Sequence, residues 1–319
     1  MKKPTIAVSI GDLNGVGIEI ALKAHEEISK LCHPLYCINA SMLSQATKLL
    51  NVSVPNDFKL SQVEGEFEIE VAKVSSACGQ YSYDSFMTAI KLCEDKYADA
   101  LVTLPIHKEA WMRAGLEFKG HTDLLRKHFN KDAIMMLGCE KMFVALFTEH
   151  IPLKEVAASI KYKKLKQFLL DLHDGIAKEK VAVLGLNPHA GDNGVLGDEE
   201  IIIIKAIKSA NKKVGFEQFF GPIVPDIAFT PHFRKNFNTY VVMYHDQGLA
   251  PLKALYFDES VNISLNLPII RTSVDHGTAF DIAYKGEAKT LSYTNAVKSA
   301  LSFIKRKYEA RTAEQKIDV

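Results

Sequence analysis

The chain is 319 residues long, 47% hydrophobic and 24% charged, with 39 Lys and Arg against 38 Asp and Glu for a formal charge of +1. That is enough apolar side chain for a substantial core, and chains of this size generally split into two lobes. The charge balance argues against a nucleic-acid binder, which would carry a basic excess or stripe; the short KYKKLK run at 161–166 has helical period and reads as a solvated helix face.

The opening MKKPTIAVSIGD has a basic start, but Gly11, Asp12 and Asn14 cut its apolar run short of a secretory segment. No stretch approaches the roughly 18–20 apolar residues of a membrane span. Cys32, Cys37, Cys78, Cys93 and Cys139 are odd in number and lack CxxC spacing, which suits free thiols in a reducing compartment. The cytoplasm is the expected location.

Thr5–Ile10 reads as a buried strand and Val16–Leu31 as a helix, with Ile18, Ala21, Leu22 and His25 at helical spacing. Asn51–Val74 is the least regular stretch. Tyr83–Tyr97 reads as helix, Ala98–Leu104 as strand and Met142–Thr148 as strand. Pro152 suits the first turn of a helix reaching Ser159. Lys164–Ala177 follows as helix, Lys180–Leu186 as strand, and Asp198 as the N-cap of a helix through Asn211. Tyr240–Tyr244 and Val261–Leu265 read as strands, and Asn295–Tyr308 as the closing helix. This alternation predicts an α/β fold with a largely parallel sheet, one lobe interrupting the other.

In such folds ligands bind beyond the carboxyl ends of strands. Gly11-Asp12, Pro105–His107, Thr148–His150, Asn187–Gly191 and Tyr244–Gly248 each follow an expected strand. The glycines of GDLNGVG do not spell GxGxxG, so a nicotinamide cofactor would not be held in the Rossmann manner. His150, His189 and His245 fall at the same expected edge, and three neutral imidazoles with an open position suit a catalytic divalent cation. Their separation along the chain is too long for a local metal motif, and each could equally be an ordinary histidine bonded to a carbonyl. NPHAGDNG, with its Asn-Pro turn and glycines around His189, is a site-like loop or a simple turn. His121 and Thr122 open a helix, a good anion seat, although Thr122 could serve only as a cap. Lys253, Asn262 and Arg271 each read singly as surface residues; grouped with His121 and Thr122 they would make a pocket for a phosphorylated acid. In RTSVDHGTAFDIAYKG, His276-Gly277-Thr278 leads into an expected short helix, and the composition suits a loop around a nucleotide base.

Taken together, GHT, NPHAG, YHDQG and VNISLNLPIIRTSVDHGTAFDIA resemble the 4-hydroxythreonine-4-phosphate dehydrogenase family of vitamin B6 biosynthesis, from Gly11 to beyond Gly286. The resemblance implies an isocitrate/isopropylmalate dehydrogenase-like α/β fold of two lobes. It implies an active site in the cleft between them, completed by the second subunit of a homodimer that shares in ligating the metal. It also implies His150, His189 and His245 as ligands of a divalent metal (zinc, magnesium or cobalt), and His121, Thr122, Lys253, Asn262 and Arg271 as substrate-binding residues. His276, Gly277 and Asp281 would meet NAD or NADP, and Asp226 and Asp246 match acidic positions near the substrate, Asp246 being a candidate base. The implied reaction is oxidation of 4-phosphooxy-L-threonine at C3, followed by decarboxylation to 3-amino-2-oxopropyl phosphate. Paralogues acting on phosphorylated erythronate or threonate or on a cyclic diol carboxylate, a phosphate acetyltransferase-like acyl transferase, and a non-catalytic metabolite binder are the alternatives. The chain departs from the family's usual pattern at Leu13, Ile18, His107, Asp192 and Asn193. None of these is an expected metal ligand, and His107 bears on substrate choice.

Overall fold

The computed structural model describes residues 3–176 and 178–317. Two compact units divide the chain: the first runs up to Lys131 and resumes at Leu267, and the second is Asp132–Asn266.

The first unit contains β1 (Thr5–Ser9), α1 (Gly17–Leu31), β2 (His33–Cys37), α2 (Ala40–Leu50), β3 (Lys59–Ser61), α3 (Ser76–Glu94), β4 (Ala100–Thr103), α4 (Lys108–Arg113) and α5 (His121–Phe129). The second contributes β5 (Ile134–Cys139), β6 (Met142–Leu146), α6 (Val156–Ser159), α7 (Tyr162–Ile176), β7 (Val181–Leu184), α8 (Glu199–Val214), β8 (Phe219–Ile223), α9 (Pro225–Ala228), β9 (Thr239–Val242), α10 (His245–Tyr256) and β10 (Val261–Leu265). The chain then re-enters the first unit with β11 (Arg271–Val274) and closes on α11 (Leu291–Ile317).

Strands of the first unit pair in the order β3-β2-β1-β4-β11, each pair parallel. Parallel strands covered on both faces have no solvent side, which is why TIAVS and ALVT are apolar almost without interruption. In the second unit the order is β10-β5-β6-β9-β7-β8. The β10-β5 and β5-β6 pairs are antiparallel, and β6-β9, β9-β7 and β7-β8 are parallel. The largely parallel α/β architecture expected from the alternation is borne out.

Local chemistry explains where elements begin. Helix α3 starts at Ser76 rather than Tyr83 because Ser75 Oγ accepts from Cys78 N at 3.1 Å, a cap that satisfies one of the orphan amides. Asn39 caps α2 likewise, accepting from Met42 N at 2.8 Å. The segment after Pro152 is a 3-10 turn, Leu153–Glu155, running into the four-residue α6. Residues 276–286 form no helix; Ala279 and Tyr284 take positive φ, which breaks the helix expected there into turns.

The core of the second unit packs Leu137, Val144, Leu146, Tyr240 and Val242 against Leu249 and Leu252 of α10. Helix α10 approaches the strands closely through Gly248: a Cβ there would stand 2.3 Å from Val144 Cγ1 and 3.0 Å from both Val242 methyls. Gly248→Ala should therefore destabilise the protein by about 1–3 kcal/mol through overpacking, and Val144→Ala in the same chain should recover part of the loss. Urea unfolding of the two variants checks this; a Gly248→Ala protein as stable as the parent would show that α10 is free to shift.

Candidate active site

Strands β6, β9 and β7 are parallel neighbours, so their carboxyl ends open on one edge of the second unit. His150 lies in the segment leaving β6, His245 opens α10 just after β9, and His189 lies in the loop after β7. Hydrogen bonds tie the three exits together. Thr148 Oγ1 donates to Met243 O at 2.6 Å, joining the β6 exit to the β9 exit. Gln247 accepts from Met243 N and donates through Nε2 to Gly185 O, both at 2.7 Å, joining the β9 exit to the β7 exit. Both Thr148 and Gln247 are buried, so these bonds are shielded from competing water.

The rings of His150 and His245 come together, their centroids 5.5 Å apart and tilted by 44°. His245 Nδ1 lies 2.7 Å from Asp246 Oδ1. The carboxylate oxygen accepts in this contact and Nδ1–H donates. A carboxylate behind an imidazole is the usual support of a metal-ligating histidine, and the pair fits a divalent cation chemically. Among the described residues of the single chain, no group of three His, Cys, Asp or Glu side chains that could hold a metal ion is formed.

His189 sits in an unusual turn. Residues 189–193 all have positive φ: 53°, 52°, 78°, 42° and 55°. Left-handed conformation costs an L-residue roughly 1–2 kcal/mol, less for Asn and Asp, so His189 and Ala190 carry most of the strain. The β7 exit leading into the turn is closed by Glu200 in the first turn of α8, whose Oε1 accepts from Leu186 N and Asn187 N at 2.9 and 2.8 Å. Asp198 is the N-cap of α8, as expected, but its side chain makes no capping bond. Helix α9, carrying the exposed Asp226, lies against this turn.

The first unit holds a separate cationic cluster. Arg271 on β11 is only 2% exposed, and its Nη2 donates to Thr103 Oγ1 at 2.8 Å. Burial pushes its guanidinium down to about 9, which leaves it charged at neutral pH. His121 opens α5, its ring edge-on to Phe86 and Trp111. Its Nε2 is shut off from solvent, with no hydrogen-bond partner among the described residues. Burial, then the charges of Arg271 and Lys108, hold the ring well below the ordinary imidazole value, so it is neutral at pH 7. Thr122 is buried beside it, and the N-cap Gly120 has no side chain with which to satisfy the first amides of α5. Lys108 reaches past Gly120, where an added Cβ would be 3.7 Å from its Cε. A buried guanidinium, an ammonium, a neutral imidazole and a helix N-terminus are groups whose chemistry suits an anion.

Lys253 lies on α10 with its ammonium 5.1 Å from the Phe257 ring centre, and Asn262 is half-buried on β10. Both belong to the second unit, whereas His121, Thr122 and Arg271 belong to the first. The 276–286 loop is held on the turn after β1: Val16 N donates to Thr278 O at 3.0 Å and Tyr284 Oη to Leu13 O at 2.7 Å. His276, Gly277 and Asp281 are exposed on it, and His276 Nδ1 donates to Gly277 O at 2.9 Å. Phe280 of the same loop stacks on His107, centroids 5.0 Å apart. Beneath it Asp12 is fully buried, its Oδ1 accepting from Asn14 N and Cys78 Sγ at 2.9 Å, and burial raises its carboxyl above the usual range.

An open cavity of about 690 Å³ elsewhere in the first unit is lined by Glu64, Asp84, Glu94 and Asp95 against Lys91 and His128. That balance repels an anionic substrate, and none of the expected site residues lines it.

Residues 30–300 match the family model described as pyridoxal phosphate biosynthetic protein PdxA. The chain belongs to that family. A 4-hydroxythreonine-4-phosphate dehydrogenase of Sulfurimonas denitrificans is 72% identical over 306 residues, covering 96% of this chain and all of that protein. The crystal structure of a 4-hydroxythreonine-4-phosphate dehydrogenase from Klebsiella pneumoniae superposes with a TM-score of 0.81 at 32% identity, over 95% of this chain and 98% of that one. An isocitrate dehydrogenase from Methylococcus capsulatus superposes at 0.50 with 13% identity, over 99% of this chain and 88% of that one, a likeness of fold alone. The resemblance read from GHT, NPHAG and YHDQG is thus borne out for the PdxA family and for the fold.

Lys108 beside His121 and Glu200 beneath the His189 turn escaped the sequence reading of this PdxA chain, while Thr148 and Gln247, which tie the histidine-bearing exits together, lay within segments it singled out without a role of their own. The PIHK segment after β4 was a usable signal for Lys108, since it follows a strand at the functional edge.

The depressed His121 pKa has a consequence for stability. The folded ring stays neutral while the unfolded chain takes up a proton below 6.5, so stability from this group is present above that pH and is lost as pH falls. In urea unfolding between about pH 7.5 and 5, His121→Asn should flatten the decline of the midpoint relative to the parent. Identical slopes in the two proteins would contradict a buried neutral His121.

Proposed function

We propose that the chain is a nicotinamide- and divalent-metal-dependent 4-hydroxythreonine-4-phosphate dehydrogenase acting in pyridoxal 5'-phosphate biosynthesis. The observation that carries this reading is the coexistence, in a PdxA chain, of a supported histidine pair and a buried anion seat. The substrate, 4-phosphooxy-L-threonine, is oxidised at C3: the C3 hydrogen leaves as hydride and the hydroxyl loses its proton, giving a β-keto acid. Loss of CO₂ from that acid leaves 3-amino-2-oxopropyl phosphate. When bound, the divalent cation supplies Lewis-acid polarisation of the reacting oxygen and NAD or NADP supplies the hydride acceptor.

The chain's own residues bind, orient and move the proton. Arg271, His121, Thr122, Lys253 and Asn262, joined by Lys108, hold the anionic groups of the substrate, and binding energy realised there orients C3. The neutral His121 ring donates without adding charge to a seat that already contains Arg271. His150 and His245 are the metal ligands of one subunit, and His189 is the third, contributed across a homodimer. Asp246, exposed and paired through Oδ1 with His245, is the candidate to take the C3 proton. Asp226, on the helix packed against the His189 turn, is assigned to the substrate's surroundings. His276, Gly277 and Asp281 are assigned to the cofactor, on a loop that lies open and is pinned at its base.

Support for the homodimer comes from Val195, Leu196, Ile201, Ile204 and Ile227, large apolar side chains left exposed around the His189 turn and the helices flanking it. Large apolar side chains exposed on neighbouring elements are what a contact face requires. The five cysteines are free and buried, which suits the cytoplasm, the location we assign.

Reduced-nicotinamide absorbance with a substrate panel tests the activity. Turnover is expected with 4-phosphooxy-L-threonine, released CO₂ should match it one for one, and a chelator should abolish it. Turnover confined to phosphorylated erythronate or threonate, or unaffected by the chelator, would overturn the assignment. Sharing of ligands is tested by mixing two inactive variants, His150→Ala and His189→Ala. Refolded together they should regain about a quarter of parental activity, since half the dimers are mixed and each mixed dimer rebuilds one of its two sites. No recovery would place all three ligands in a single subunit.

A further inference from the structure

The turn that carries His189 has no reason of its own to be left-handed. Only Gly191 in residues 189–193 is indifferent to positive φ, and Asp192 and Asn193 merely tolerate it. A strained run of this kind persists where its surroundings over-determine it, and here those surroundings converge on one side chain. Glu200 is 5% exposed. Its Oε1 accepts from the backbone amides of Leu186 and Asn187, and its Oε2 accepts from Asn187 Nδ2 at 2.9 Å. Asn187 Nδ2 also reaches Glu199 Oε2 at 2.7 Å. The far side of the turn rests on the same carboxylate, since a Cβ on Gly191 would be 2.7 Å from Glu200 Oε2. Gly197 leaves room for the Asn187 side chain, where a Cβ would be 2.3 Å from Nδ2. The turn is closed by Ala190 N to Asn187 O and Leu196 N to Gly191 O, both 3.0 Å.

We propose that Glu200 is a positioning residue for His189: by holding the amides of residues 186 and 187 and buttressing Gly191, its carboxylate imposes the left-handed turn and so sets the direction in which the imidazole is presented. Glu200 touches no reacting atom in this role. It acts through His189, and the inference rests on the reading of His189 as a ligand of the divalent cation.

Two variants of the full-length protein, Glu200→Ala and Glu200→Gln, test the proposal alongside His189→Ala. Each is checked for native near-UV circular dichroism and then titrated with Co²⁺, with calorimetry giving affinity and the visible spectrum reporting the ligand set. Removal of an outer partner of a ligating histidine typically weakens metal binding by roughly 10–100-fold, and that loss is expected for Glu200→Ala together with an altered cobalt spectrum. Hydrogen exchange at Leu186 and Asn187 should rise in Glu200→Ala while the β-strand amides stay protected. Glu200→Gln keeps an oxygen for the two amides but sets an N–H donor against Asn187 Nδ2, so its loss of affinity should be smaller than that of Glu200→Ala yet still measurable. If Glu200→Ala does not fold, the Gln variant still decides, because its lost Asn187 contact should weaken binding measurably. Native cobalt affinity and spectrum in the folded Glu200 variants, with binding lost in His189→Ala, would overturn the positioning role alone. Native binding in His189→Ala would instead overturn the ligand assignment beneath it.

Discussion

The candidate site of the second unit depends on the parallel alignment of β6, β9 and β7 and on the buried hydrogen bonds across their carboxyl ends. Parallel pairing sends three loops out of one edge, but a loop is free to point anywhere. Thr148 on Met243 O and Gln247 on Gly185 O remove that freedom. A buried donor left without its acceptor costs about 1–3 kcal/mol, so each bond resists movement of one exit relative to its neighbour. Gly248 lets α10 sit tight on β6 and β9, and His245 at the start of that helix inherits its rigidity.

The first unit solves a different electrostatic problem. An anion seat buried enough to exclude water needs cations that survive burial, and guanidinium is the side chain least willing to lose its proton. Arg271 keeps its charge, while the imidazole beside it stays neutral because burial and that charge both disfavour a second proton. The result is one buried fixed charge plus a neutral hydrogen-bonding group, rather than two repelling cations. We assign this arrangement to the phosphate or carboxylate of the substrate.

Much of this was legible in the residues. Thr5–Ser9 lies in an apolar run of strand length and Val261–Leu265 alternates apolar and polar side chains, and the filter of polar loops after strands singled out the segments around His150, His189 and His245. Strands β2 and β8 were not legible, because HPLYC and FFGPI each contain a proline and read as irregular chain. The helix expected after His276 failed because Ala279 and Tyr284 adopt positive φ, which neither side chain announces. Lys108 and Glu200 were hidden for another reason: a charged residue in the first turn of a helix looks the same whether it faces solvent or braces a site. Only the bonds made by Glu200 to amides thirteen and fourteen residues away distinguish the two. The left-handed turn at 189–193 was invisible in His189 and Ala190, and only Gly191, Asp192 and Asn193 hinted at it.

We propose that imidazoles presented from three neighbouring strand ends hold one cation at the reacting carbon. Anomalous scattering from crystals of the full-length protein grown with Zn²⁺ tests it most directly. A single strong peak per subunit is expected, bonded at about 2.0–2.1 Å to His150 and His245 of one subunit and to His189 of its neighbour. A peak bound by other side chains, or one that leaves His150 and His245 unligated, would contradict it.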